Sequence, residues 1–492
     1  MLNDNDGWNG ATNVSCGRRA SVWVAGLCSV LLVSGVVAAD TAPARGPASA
    51  PAAATGWLTQ PLSLVDSIRL ALQQNNNILK AQSDLEAAHG VAVQTRAIVL
   101  PKLRGSSGYA HTEAVERDPA FTGTGKEFGP QKDQWSGSIR VVQSLYEGGR
   151  MTSALRSARL IKEQAFLEYQ AVVANTLLEV RTAYYDVLLA EQQIVVQDAS
   201  VKLLEQELRN TTKRKEAGAV PQFNVLRAEV KLANAQPGLI RAQNRYRIAK
   251  NNLAILLGYN IPTNVWDDIP LTLTSKLDPE PYSLELPGAI GLAREHRPEL
   301  GVLRAEVNLQ REKVITAKSG YKPSLNIFGG YGAHNSEFSD NFRAAVPGPM
   351  AGVAVSWDLW DGRATEGRVI EAKAHESKAS LGLEDQMRRI DQEVRTAYSR
   401  FVEAKQVLES QKKVVERAEE SIRLADSRYD AGSGTQLDVL DAQTSLTEAR
   451  TTQVQAARDY LVSRAQLDRA MGLDVSQEPA IPPRKEGAGA KP

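Results

Sequence analysis

The sequence predicts a mainly α-helical protein with a membrane β-barrel, built from one unit of strand hairpin and long helix that occurs twice. An internal repeat, two long helical patterns without proline, and short alternating segments in an exported chain predict this fold class. In the repeat, Val180–Tyr184 recurs as Val394–Tyr398, 214 residues later, and the same separation holds without a gap from Leu145 to Gly258. A constant separation over such a length indicates duplication of a unit whose dimensions are constrained.

Upstream of the long helical patterns the separation becomes 222 residues, as between Pro101 and Pro323 or between Tyr109 and Tyr331. The first copy therefore contains an intervening loop that is eight residues longer. Insertions are tolerated in surface loops far better than in packed elements. We expect this extra length in a loop between strands.

The N-terminus carries the features of a secretory signal. Arg18 and Arg19 precede an uncharged run that ends in small residues at Ala39, and a segment rich in proline and alanine follows. This pattern predicts cleavage after Ala39; the alternative is a retained anchor, because the run approaches the ~20 residues that a spanning helix needs. Both cysteines, Cys16 and Cys28, precede the cleavage site. We therefore expect no disulfide and no thiolate metal site in the mature chain.

Composition and the repeat together divide the chain into six parts. The two ends outside the repeats contain too little apolar sequence to pack, so we expect flexible segments there. The predicted parts are a signal peptide (1–39), a Pro/Ala-rich linker (40–61), the first repeat (62–260), a connector (261–282), the second repeat (283–474) and a C-terminal tail (475–492).

Helical patterns occupy most of each repeat. In the first copy, short helices are predicted over Leu64–Gln74 and Ile78–Val99, the second ending before Pro101. Long patterns without proline follow at Gly149–Ala217 and Arg363–Ala431, each about 100 Å if helical. Their apolar residues recur mostly every seven positions, which is typical of coiled coils. A glycine-containing turn then reverses the chain into a shorter helix in each copy.

The hairpins before the long helices alternate as membrane strands do. In Trp135–Leu145 the residues at 135, 137, 139, 141 and 145 share one face, and copy two repeats the pattern with Val353, Val355, Trp357 and Leu359. The preceding strands are predicted at Leu103–His111 and Leu325–Ala333. A half-buried strand of a soluble sheet would alternate in the same way. Four strands cannot close a barrel, which needs about eight, so closure requires several protomers.

Two corners and one turn resemble the TolC-like outer-membrane efflux proteins, over nearly the whole stretch from Leu62 to Leu473. The corners are Leu145–Gly149 and Leu359–Gly362, and the turn is Tyr429–Ala442. The resemblance implies a homotrimer with a twelve-stranded barrel in the outer membrane of a Gram-negative bacterium and a helical tunnel across the periplasm. It also implies three kinds of partner: outer-membrane lipid, a periplasmic adaptor and an inner-membrane transporter.

The same resemblance implies a periplasmic gate. Tyr429 matches the family's gate tyrosine, and Asp438 and Asp441 match the aspartates that ring the constriction. The two aspartates lie three apart on one helical face, so a trimer would crowd six carboxylates together. Asn224 stands where some members carry an aspartate, and Gly434 where some carry an arginine. Both departures alter the expected connections between protomers; without the resemblance, the two aspartates would be ordinary surface acids.

The turns between the long and the shorter helices resemble the tips that meet the adaptor. The expected adaptor-contacting residues share a position in these turns and are Gly218, Val220, Gly432, Gly434 and Thr435. Glycine at such positions also serves a helix end and a tight reversal, and both roles are compatible.

No feature of the sequence indicates catalysis, a cofactor or a metal. The five histidines lack ligand spacing, and Gly123–Lys126 lacks the upstream glycine of a phosphate-binding loop. A net charge of +1 indicates no nucleic-acid partner. The resemblance therefore implies a passive channel component of a tripartite efflux pump or a type I secretion system. A periplasmic adaptor or a coiled-coil structural protein is the alternative, and the cargo, whether drug, metal or protein, stays open.

Overall fold

The computed structural model describes residues 60–111, 133–260, 269–335 and 345–473. The predicted signal, most of the linker, the tail and the segment Gly123–Lys126 lie outside the described residues. The elements follow the order α1 (Leu64–Gln74), α2 (Asn76–Arg96), β1 (Lys102–His111), β2 (Asp133–Glu147), α3 (Arg150–Glu216), α4 (Gln222–Leu256), α5 (Leu286–His296), α6 (Pro298–Lys318), β3 (Ser324–Asn335), β4 (Ala345–Ser356), α7 (Ala364–Asp430) and α8 (Gln436–Met471).

The long helices α3 and α7 confirm the prediction almost to the residue. Each contains 67 residues and is about 100 Å long. Their apolar seams are buried or half-buried, with Val180 and Val394 both 0% exposed. Within the described ranges, no helix combines the length and the apolar character needed to cross a membrane.

The duplication extends to the packed interior. Leu253 and its counterpart Leu467 are both 0% exposed, as are Ile78 and its counterpart Leu300. Short 3-10 turns also end corresponding helices, at Ala97–Val99 and Ser319–Tyr321. Both copies therefore bury the same positions, and the backbone follows one plan twice.

The helices pack in a defined lateral order. In one half of the layer α2 packs on α3, α3 on α6 and α6 on α7; in the other half α4 packs on α3, α3 on α8 and α8 on α7. Among the described helices, α2 and α4 therefore bound one side of the layer and α7 bounds the other. The outer helix α4 leaves a row of large apolar side chains exposed: Phe223, Leu226, Val230, Ile240, Ile248 and Ile255.

The four strands form one antiparallel sheet in the order β1-β2-β3-β4. The two hairpins are joined by pairing of β2 with β3, which the sequence did not predict. Apolar residues face each other across the ladder on one face, for example Leu103 opposite Val141 and Ile139 opposite Tyr331, and these side chains are exposed. Serines occupy the other face, where Ser106 Oγ lies 2.8 Å from Ser138 Oγ. The predicted alternation of apolar and polar residues is confirmed for this part of the sheet.

The second hairpin departs from the predicted strand. Trp357 and Leu359 were expected to continue the alternation of β4, but this strand ends at Ser356, so that expectation is wrong. β4 has a ladder partner on one side only, and β3 begins at Ser324, opposite Ser356. The inner strand β2 continues to Glu147, with an irregularity between Ser144 and Tyr146 that leaves Leu145 outside the ladder with β3. An edge strand thus stops earlier than an inner strand of equivalent sequence.

Candidate functional site: the two hairpin tips

The long and shorter helices of each copy are joined by a short reversal, called here the first tip (217–221) and the second tip (431–435). In the first tip the Ala219 amide donates to the Arg214 carbonyl at 2.8 Å; in the second the Ser433 amide donates to the Arg428 carbonyl at 2.9 Å. Gly218 and Gly432 have φ of 74° and 72°, a conformation that side chains disfavour. The tips therefore share one backbone geometry.

The helices that leave the two tips begin differently. α8 starts with a capping box: the Thr435 hydroxyl accepts from the Asp438 amide at 3.3 Å, and the Thr435 amide donates to the Asp438 carboxylate at 2.9 Å. α4 starts after Pro221, whose side chain makes no capping bond. The Thr435 hydrogen bonds, and further the charge of Arg428, lower the pKa of Asp438 below its ordinary value. Asp438 is therefore firmly ionised at neutral pH.

Gly434 is required for space and not for backbone conformation. A Cβ atom on this residue would lie 3.0 Å from Arg428 Cβ and 3.2 Å from the Tyr429 amide nitrogen. A side chain here would require Arg428 and the adjoining backbone to shift by a few tenths of an ångström. The absence of an arginine at this position is thus consistent with how tightly the second tip folds on itself.

The predicted gate residues occupy different environments in a single chain. Asp438 and Asp441 are exposed on α8, while Tyr429 and Asn224 are half-buried. The Tyr429 hydroxyl is buried and has no hydrogen-bond partner in the described parts of the chain. Asn224 enters the site through its main-chain carbonyl, which accepts from Gln436 Nε2 at 3.3 Å. The expected adaptor-contacting residues Gly218, Gly432 and Thr435 are exposed, and Val220 and Gly434 are half-buried.

Arg214, which the sequence did not single out, contacts the predicted gate tyrosine Tyr429. Arg214, near the end of α3, places its guanidinium carbon 4.5 Å from the centroid of the Tyr429 ring. Its Nη2 lies 2.5 Å from Asp430 Oδ1. The first long helix therefore contacts the end of the second through an ion pair and a cation–π contact. No sequence signal distinguishes Arg214 from its repeat counterpart Arg428, so only the structure could reveal this pairing.

A buried polar cluster beside the second tip was also missed. Gln436, the first residue of α8, contacts Glu207 and Thr211 of α3. Gln436, Glu207 and Thr211 are 3%, 8% and 0% exposed, respectively. Glu207 and Thr211 lie next to Leu208, which the seven-residue pattern placed on the apolar seam. The seam pattern concealed a polar interruption at its end.

The described residues contain no group of three or more histidine, cysteine, aspartate or glutamate side chains that could hold a metal ion. Of the histidines, His111 pairs with Asp133 at 2.7 Å, and His375 lies 3.8 Å from Glu371.

The geometry places a duplicated sheet hairpin at one end of two long helices and two unequal tips at the other. A family model described as outer membrane efflux protein matches residues 67–259 and 289–473. The chain belongs to this family. It is thus an outer-membrane channel component of an export system, and the resemblance drawn from the sequence is confirmed. The alternatives of a periplasmic adaptor and a coiled-coil structural protein are excluded by this membership.

Three relatives illustrate the range of the family. The chain is 24% identical to outer membrane protein TolC of Escherichia coli over 430 residues, which covers 84% of this chain and 83% of TolC. It is 24% identical over 415 residues to alkaline protease secretion protein AprF of Pseudomonas aeruginosa, covering 82% and 83%. It is 23% identical over 414 residues to cobalt-zinc-cadmium resistance protein CzcC of Cupriavidus metallidurans, covering 84% and 90%.

A solved structure shares the fold. The outer membrane protein VceC of Vibrio cholerae superimposes with a TM-score of 0.68 at 20% identity, covering 83% of this chain and 96% of VceC. The mainly helical fold with duplicated strand hairpins is therefore that of the efflux family. Proteins of this family are channels.

Proposed function

We propose that three copies of this outer-membrane efflux protein close into one passive duct, gated at the second tips. The observation that carries this proposal is the pair of open sides of the single chain. One side consists of β1, α2 and α4, and the other of β4 and α7. Both carry exposed apolar side chains, such as Ile240 on α4 and Leu381 on α7, at 64% and 60%. Dissimilar sides of this kind join head to tail, and such contacts close into a ring when the rotation between copies closes.

The sheet supports closure by the same operation. β1 and β4 run antiparallel because four strands alternate in direction, so β4 of one copy can pair antiparallel with β1 of the next. A single sheet of four strands is too small to close, since barrels need about eight. The strand geometry requires more than one copy, and the number three rests on the family. Three copies would give twelve strands and twelve helices in each section of the tunnel.

The gate in this proposal lies at the second tips. Asp438 and Asp441 are exposed acids one turn apart on α8, and three copies would bring six carboxylates together. Such a ring favours cations and narrows the passage. At the same end of the helices, the Tyr429 ring contacts the guanidinium of Arg214. The main-chain carbonyl of Asn224 accepts a hydrogen bond from Gln436 and so holds the first turn of α8. The duct itself carries out no reaction, and its energy comes from a partner.

The partners follow from the two ends of the duct. The apolar face of the sheet suits outer-membrane lipid, and the exposed tips suit a periplasmic adaptor that joins an inner-membrane transporter. Gly218, Val220, Gly432, Gly434 and Thr435 lie where such an adaptor would make contact. AprF is a protease secretion protein and CzcC a metal resistance protein, so relatives of this chain serve different cargoes. We propose no single cargo.

The open-side model is tested with two matched variants of the full chain. Val230→Glu places a charge on the outer helix α4, while Val195→Glu places the same charge on the central helix α3; the two valines are 59% and 56% exposed. We expect the Val195→Glu protein to migrate as a trimer in detergent, with the mass of three chains by light scattering. We expect Val230→Glu to dissociate or assemble poorly, because its charge would be buried between copies.

Equal assembly of both variants would contradict the assignment of α4 as an interface helix. A wild-type mass of one or two chains would contradict the trimer. Pore formation by the wild-type trimer in planar bilayers, at low conductance, completes the test of a gated duct.

A further inference from the structure

The strongest unassigned feature is the polar cluster between the two hairpins. Gln436 Nε2 lies 3.0 Å from Thr211 Oγ1 and 3.4 Å from Glu207 Oε1, besides its bond to the Asn224 carbonyl. The Thr211 hydroxyl in turn donates to Glu207 Oε1 at 2.9 Å. One amide group therefore serves three oxygens that belong to two other helices, α3 and α4.

Because the cluster is buried, the loss of any of its hydrogen bonds is costly in free energy. All three side chains are at least nine-tenths buried, so water does not replace a lost bond. Among the described residues, Glu207 accepts hydrogen bonds from neutral donors only, and hydrogen bonds to a carboxylate are stronger than those between neutral groups. On its other side, Gln436 Oε1 is buried and has no hydrogen-bond partner among the described residues. The hydrogen bonds of Nε2 therefore offset the free-energy cost of burying the Gln436 amide.

The repeat shows that the cluster is a feature of the second tip only. The counterpart of Gln436 is Gln222, which is exposed at the start of α4. The counterparts of Glu207 and Thr211 are Ser421 and Ala425. A single buried polar contact within a helical seam fixes register and orientation. Here it fixes the start of α8 against the first hairpin.

We propose that Gln436 is a positioning residue of the gate, acting through Asp438. Gln436 lies between Thr435, the N-cap, and Asp438, the third residue of the capping box. Its bonds to α3 and α4 hold this first turn in place, and the Asp438 carboxylate with it. The inference rests on the proposed gate at the second tip and adds Gln436, Glu207 and Thr211 to it.

Substitutions that add or move a carboxylate within the cluster test this role. Gln436→Glu would face Glu207 with a second carboxylate, and the loss of the buried bonds should free the second tip. We expect about a tenfold or larger rise in closed-level conductance in planar bilayers, and about tenfold faster amide exchange over residues 436–440. The double variant Glu207→Gln with Gln436→Glu again places one amide beside one carboxylate, with their positions exchanged, but it does not restore the donor to the Asn224 carbonyl. We expect it to return both readouts part of the way to wild type.

The matched control is Gln222→Glu, which makes the same change at the counterpart that is exposed in the single chain. Because α4 faces the next copy in the proposed trimer, conductance is compared only for protein that still runs as a trimer, and we expect amide exchange over residues 436–440 to match wild type. Conductance and exchange of Gln436→Glu equal to wild type would overturn the proposal. A double variant as leaky as the single one would show that the pairing with Glu207 is not the cause. If exchange responds as expected but the wild-type protein forms no pore, the proposed function fails while the anchoring of the tip by Gln436 stands.

Discussion

The two tips share a backbone and differ in what holds them. Both reverse through a left-handed glycine, with the same hydrogen bond across the turn. The second tip has a capping box and a buried glutamine anchor; the first has Pro221 and an exposed Gln222. Duplication therefore preserved the shape that a helical wall needs, while the polar contacts diverged. This difference supports our proposal that the gate lies in the second copy.

The junctions between short helices show the same divergence near the middle of the long helices. In the first copy, Asn75 caps α2 and donates to the Leu256 carbonyl at 2.7 Å. In the second, Arg297 occupies the corresponding place and contacts Glu299, which Arg469 also contacts. A neutral cap in one copy is thus replaced by an ion network in the other. Burial alone would raise the pKa of Glu299, but Arg297 and Arg469 lower it to about 2.

The largest expected difference between the copies lies in this network. Arg469→Met removes a 5% exposed cation and leaves Glu299 partly unpaired, whereas Ile255→Met changes the exposed counterpart, which is 58% exposed. We expect Arg469→Met to lower the free energy of unfolding by about 2–3 kcal/mol per chain. We expect Ile255→Met to change it by less than about 0.5 kcal/mol. Denaturant titration followed by circular dichroism measures both.

The pH dependence of the free energy of unfolding tests the same network around Glu299. Because the pKa of Glu299 is lowered from its ordinary 4.5 to about 2, the network stabilises the fold above pH 4.5 and loses this effect as pH falls toward 2. The wild-type advantage over Arg469→Met should therefore shrink between these values. An advantage that is the same at pH 7 and at pH 2.5 would contradict the assigned role of the network.

A smaller difference is expected at the tips themselves. Arg214 pairs with Asp430 and covers Tyr429, but the pair is solvent-exposed, with side chains 35% and 70% accessible. Such contacts contribute about 0.5–1 kcal/mol each. We expect Arg214→Ala to raise the closed-level conductance a few-fold and the counterpart Arg428→Ala to raise it less, because Arg428 acts on Asp438 through its charge alone. Equal effects of the two variants would show that the tips are not distinguished by this cation.

Much of this fold was predictable because its signals are periodic. The seam of α3 and α7, the corners and the counterpart positions Gly218 and Gly432 follow from repetition that any reader of the sequence can count. Pairing of β2 with β3 was not predictable, because alternation gives a strand its faces but not its neighbours. The end of β4 at Ser356 was missed for the same reason, since it depends on having one ladder partner.

The polar contacts at the site were predictable only in part. Asp438 could be found because it matches a family position and a capping box has a sequence signature. The cluster of Glu207, Thr211 and Gln436 could not be found from the sequence. Each of these residue types is common on protein surfaces, and only the packing of α3, α4 and α8 buries them together. Arg214 resembles Arg428 in sequence and differs only in the neighbour that α3 brings to it. Contacts between distant helices are thus where the duplicated sequence stops being informative.

In the proposed duct, the second tip controls passage and the first does not. The most direct measurement is the reversal potential and closed-level conductance of reconstituted protein in a KCl gradient, for Asp438→Asn beside Asn224→Ala. Asp438→Asn removes an exposed carboxylate from the proposed ring, so we expect lower cation selectivity and greater leakage. Asn224→Ala keeps the carbonyl that Gln436 contacts, so we expect both values to stay at wild type. Unchanged selectivity and leakage in Asp438→Asn, or equal changes in the two variants, would contradict the claim.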